Sequence, residues 1–68
     1  MRNWFRELPI EVGYYWIYLK LNNENILNVL YVEYFFRKIV YSINGEIISK
    51  KELENYWFLK LDTPDFPE

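Results

Sequence analysis

The chain has 68 residues, of which 51% are apolar and 22% aromatic; it carries a net charge of −2 and contains neither cysteine nor histidine. That length makes one domain near the lower limit of unaided folding. The composition excludes disulfides, thiolate nucleophiles, the common zinc ligands and an imidazole base, and no basic stripe invites a nucleic-acid duplex.

Missing cysteines fit a reducing compartment. No apolar run reaches the ~18 residues of a membrane span, and Met1-Arg2-Asn3-Trp4 lacks the apolar centre of a signal peptide. The chain is therefore expected to be soluble and cytoplasmic, with no membrane partner.

Met1 to Pro9 reads as an entry segment whose Trp4, Phe5 and Leu8 are apolar, and Leu8-Pro9 should be extended because proline disfavours helix in the residue before it. Val12–Leu21, dense in aromatic and β-branched residues, reads as the first strand. Alternation puts Tyr15, Ile17, Leu19 and Leu21 on one face and Tyr14, Trp16, Tyr18 and Lys20 on the other. Asn22-Asn23-Glu24-Asn25 then predicts a loop, and Ile26–Phe36 a second strand. Arg37-Lys38 marks a turn or bulge before a third strand over Ile39–Ile43. Asn44-Gly45 predicts a tight hairpin into Glu46-Ile47-Ile48, because a two-residue type I′ turn needs positive φ at both positions.

Ser49-Lys50-Lys51-Glu52 fits the capping box Ser-x-x-Glu and predicts a short helix from Lys50 to about Asn55, with Leu53 facing inward. Tyr56–Leu61 reads as the last strand, with Trp57, Leu59 and Leu61 on one face and Tyr56, Phe58 and Lys60 on the other. Thr63-Pro64-Asp65-Phe66-Pro67-Glu68 is a proline-punctuated tail unsuited to a central strand. The expected fold is mainly β within the α+β class. It is a small curved antiparallel sheet of four or five strands with one short helix, and partial closure as an SH3-like barrel is an open alternative.

Chemistry finds little purchase. Ser42 falls in a strand, Ser49 in a helix cap and Thr63 before a proline, and none has a Gly-x-Ser-x-Gly context. Glu11 and Glu33 could pair for acid–base work, but ten scattered acids are expected to be solvated surface. Two glycines cannot build a phosphate loop, so no cofactor, metal or catalytic residue is expected.

The aromatic excess is what remains. Fifteen aromatic side chains (three Trp, seven Tyr, five Phe) exceed what so small an interior encloses. Tyr14, Trp16 and Tyr18, joined by Tyr56 and Phe58, are expected to form an exposed patch that binds a partner, since such residues dominate interface hot spots. The competing expectation is that Trp4–Leu8 or the Pro64–Pro67 tail already covers this ladder. A copy of the chain itself could also cover it, which makes a homodimer the second option.

Trp4, Leu8-Pro9, Gly13, Val29-Leu30-Tyr31-Val32 and Tyr56-Trp57-Phe58-Leu59 running into Pro64 and Pro67 form an ordered set of landmarks. In these the chain resembles small phage and prophage proteins grouped only as a domain of unknown function. Gly-Tyr-Tyr-Trp-Ile (residues 13–17) is likewise similar to the Gly-Trp-Tyr-Trp-Val start of other short phage proteins. Leu59-Lys60-Leu61-Asp62 departs from the Leu-Pro that closes the family pattern. The resemblance implies a mobile-element setting and a host protein or protein complex as partner. It points most concretely to an anti-CRISPR-type inhibitor of a host defence complex acting by steric occlusion. A homo-oligomeric structural or accessory phage protein is the alternative.

Overall fold

A computed structural model describes residues 3–61. They form five strands and one helix: β1 (Gly13–Leu21), β2 (Glu24–Phe35), β3 (Lys38–Ile43), β4 (Glu46–Ile48), α1 (Lys50–Leu53) and β5 (Trp57–Lys60). All ladders are antiparallel and the strand order is β4-β3-β2-β1-β5. The sheet is open, with β4 and β5 as its outer strands, so it does not close into an SH3-like barrel.

Three two-residue turns connect the first four strands. Leu21↔Glu24, Phe35↔Lys38 and Ile43↔Glu46 are the closing pairs, and each leaves two residues at positive φ. Asn44 (φ 53°) and Gly45 (φ 83°) form the expected hairpin. Asn22 (φ 49°) and Asn23 (φ 67°) turn just as tightly, so β2 begins at Glu24 where the sequence suggested a four-residue loop. The third turn falls on Phe36 (φ 50°) and Arg37 (φ 65°), one residue before the expected Arg37-Lys38. Left-handed backbone costs an ordinary L-residue ~1–2 kcal/mol, and asparagine or glycine would relieve it.

Burial follows the alternation of β1. Tyr15 and Ile17 are buried, facing Leu30 and Phe58 across the two flanking ladders, and Val32 with Tyr41 extends the same layer. The lid comes from elsewhere in the chain. Leu53 of α1 is fully buried, and Phe5, Leu8 and Tyr56 pack against the cluster. The Ser49 side chain accepts the Glu52 backbone N–H at 3.3 Å, which caps the helix N-terminus and forms one half of the expected capping box; the reciprocal bond from the Ser49 N–H to the Glu52 carboxylate is not formed. Only Lys50–Leu53 is helical, shorter than the expected Lys50–Asn55, and a single turn of this length depends on docking, which the fully buried Leu53 provides.

Two buried tyrosines fasten the entry segment to this layer. The Tyr41 hydroxyl donates to the Pro9 carbonyl at 2.8 Å and the Tyr15 hydroxyl to the Glu11 carbonyl at 2.9 Å. Phe5 exchanges backbone hydrogen bonds with Phe58 in both directions, at 2.9 and 2.8 Å, which adds one rung of sheet outside β5.

Candidate functional site: the uncovered face of the sheet

Cross-strand partners share a face, so the registers identify everything that lies opposite the core. Tyr14 faces Tyr31, Trp16 lies between Val29 and Leu59, and Tyr18 between Leu27 and Trp57. Beyond Tyr31 come Ser42 and Ile47. These residues form a continuous apolar and aromatic surface running the width of the sheet. Tyr14 and Tyr31 stack at 4.7 Å between ring centroids, and Trp4 reaches Tyr18 at 5.9 Å. Trp4, Tyr18 and Trp57 line a shallow apolar cleft at one end, with the Arg6 guanidinium 4.9 Å above the Trp57 ring. Tyr18 is oriented by a 2.8 Å hydrogen bond from its hydroxyl to Asn25 Oδ1.

The numbers on the two faces are lopsided. Among the described residues seven large hydrophobic side chains are buried and eleven are exposed. Six of those eleven, Trp4, Tyr14, Leu27, Phe35, Ile47 and Trp57, belong to this uncovered face or its margin. An apolar patch of that continuity is uncommon on a small monomer.

The ladder Tyr14, Trp16 and Tyr18 therefore stands on the open face, with Tyr14 49% exposed and Trp16 and Tyr18 half-buried. Phe58 does not join it. Pairing with Ile17 turns Phe58 into the core at 0% exposure, and Tyr56 is half-buried against that same core. The β5 residues that do join are Trp57 and Leu59, placed opposite Tyr18 and Trp16. Both faces of β5 are apolar, so alternation alone could not say which one turns inward. Of the segments expected to compete for the ladder, Phe5 and Leu8 pack on the core side and only Trp4 reaches it. The Pro64–Pro67 tail lies outside the described residues, as does Thr63.

The polar candidates are dispersed. Glu11 accepts a hydrogen bond and ion pair from Lys60 Nζ at 2.9 Å, in an exposed position. That contact, mainly the hydrogen bond and then the charge of Lys60, holds the Glu11 carboxyl below its usual range. Lys60 shares the Tyr15 face and Glu33, opposite Val40, the other, so Glu11 and Glu33 are not brought together. Ser42 is flanked by Tyr31 and Ile47, and Ser49 caps α1. Among the described residues no group of three or more Asp or Glu could hold a metal ion, and no helix is long and apolar enough to cross a membrane. Comparison with known proteins returns no match, whether to a family model, a curated protein or a solved structure.

Proposed function

We propose that this chain is a non-enzymatic protein-binding module that docks its partner on the uncovered face of the sheet. The observation that carries the reading is an aromatic surface, centred on Trp16 and edged by Tyr14, Tyr31, Tyr18 and Trp57, with no layer of the described chain over it. Tyrosine and tryptophan supply large rigid contact area at little entropic cost, and the charge-poor centre fits an apolar partner surface. Catalysis has less support. Glu11, ionised and paired with Lys60, suits neither proton donation nor base catalysis near neutrality, and Ser42 sits among apolar neighbours. The finer reading, an anti-CRISPR-type inhibitor that occludes a host defence complex, rests on the resemblance to phage proteins.

The test is affinity capture with the wild type and with Tyr14→Ser/Trp16→Ser, each confirmed as folded by circular dichroism. A partner recovered by the wild type and by a Lys50→Glu control on the helix, but not by the face variant, supports the reading. Equal recovery by all three would sink it.

A further inference from the structure

Given that reading of the face, we infer that its occupant is a second copy of this chain, packed sheet against sheet about a two-fold axis. The thickness of the molecule is the first argument. Its smallest extent is 20 Å, room for the sheet and one covering layer, since packed layers lie ~10 Å apart. That one layer is accounted for by Phe5, Leu8, Leu53 and Tyr56, all on the core side. A second copy supplies, as another sheet, the layer that the described residues do not provide on the other face, which is the arrangement of a β-sandwich.

Area is the second argument. A fully enclosed aromatic side chain buries ~150–250 Å². With Tyr14 49% and Trp57 38% exposed, Leu27 56% and Ile47 78%, these four side chains alone offer roughly 400–500 Å² per copy. Exposed Trp4 and Phe35 and half-buried Trp16, Tyr18, Tyr31 and Leu59 extend the patch toward the ~800 Å² that a standard interface takes from each partner. One pair of charges on the patch is also self-complementary. Lys20, opposite Asn25, and Glu33, opposite Val40, share the face but stand toward opposite ends of the β1–β2 ladder. A two-fold axis lying across the strands sets each over its counter-charge on the other copy, while Arg6 and Lys38 remain at the margins. Finally, a chain of 68 residues with seven buried hydrophobic side chains among its described residues enlarges a small core, as small domains often do by association.

Light scattering over a dilution series tests this, with Tyr14→Lys/Leu27→Lys as the interface variant. Both positions are about half exposed, so the single chain tolerates them. Ile10→Lys is the matched control: Ile10 is 66% exposed but lines the cleft beside Tyr15 and Lys60 on the opposite side. The expected result is a wild-type dimer whose melting temperature rises with concentration, an unchanged control, and a dimer at least ~30-fold weaker in the interface variant. Tryptophan emission should shift to the red as the dimer dissociates. A wild type monomeric at every concentration would overturn the inference while leaving the docking face open to a foreign partner. A dimer indifferent to the face variant would overturn it in favour of edge pairing through β4. The broader binding reading fails separately, by partner capture that ignores Tyr14 and Trp16.

Discussion

Within nine residues β1 displays two faces of one sheet built from the same kinds of side chain. Tyr15 and Ile17 are 3% and 0% exposed, whereas Tyr14 between them and the chain's entry is 49% exposed. Residue type does not separate the faces: each has tyrosines and branched aliphatics. What separates them is where the connections go. Phe5 and Leu8 of the entry segment, Leu53 of α1 and Tyr56 all return to the Tyr15 side, and only Trp4 and Arg6 reach the margin of the Trp16 side. Apolar character makes a face able to be buried, and chain topology decides whether it is.

The largest expected effects set the two faces against each other directly. Phe58→Ala empties a site at 0% exposure and should cost ~3–5 kcal/mol in chemical denaturation, most of the stability of so small a domain. Leu27→Ala, on the open face, should cost less than ~1 kcal/mol when the protein is dilute enough to be monomeric. Similar losses from both would erase the distinction.

The turn between β2 and β3 sharpens the contrast in the opposite direction. Phe36 is 85% exposed, its ring set edge-on to Phe35 at 4.5 Å, and it adopts φ 50° with Arg37 at 65°, so backbone preference does not account for these residues there. Phe36→Asn/Arg37→Gly should raise stability by ~1–2 kcal/mol, measured as a higher denaturation midpoint with an unchanged slope. A loss of stability would mean that the exposed aromatics at this tip support the fold after all.

Ser49→Ala removes the acceptor for the Glu52 N–H and should cost ~1 kcal/mol, since α1 exists to deliver Leu53 to the core. No change would show that Leu53 holds the helix without its cap. The smallest effect is read by pH. Burial chiefly raises the phenol values of Tyr15 and Tyr41 above the ordinary value of about 10. Their folded forms hold protons more tightly than the unfolded chain, so this stabilisation is complete below about pH 10 and is lost as pH rises through the raised values. An ultraviolet tyrosinate titration should show a late phase that coincides with unfolding and shrinks in Tyr41→Phe.

Much of the fold was legible. Asn44-Gly45 announced its hairpin through turn chemistry, Ser49 and Leu53 announced the helix, and alternation separated Tyr15 and Ile17 from Tyr14, Trp16 and Tyr18. The turn at Phe36-Arg37 was not legible, since neither residue favours positive φ and the preceding pattern runs on unbroken. Half of the candidate site was also hidden. Placing Trp57 and Leu59 beside Trp16 requires the β1–β5 register, a contact between strands some forty residues apart that no local signal encodes.

That same register governs how the protein assembles. Three ladders join strands adjacent in sequence, and hairpins of this kind close within ~1–10 μs. The β1–β5 ladder alone spans the chain, bringing Phe58 to Ile17 and the Leu61 N–H to the Tyr14 carbonyl at 2.9 Å. During synthesis β1 to β4 can form a meander whose best apolar strand still lacks one neighbour, and the core closes only when the last strand arrives. Phe58→Ala should therefore speed unfolding more than it slows folding, and Leu30→Ala, within the early hairpin, should do the reverse in stopped-flow kinetics.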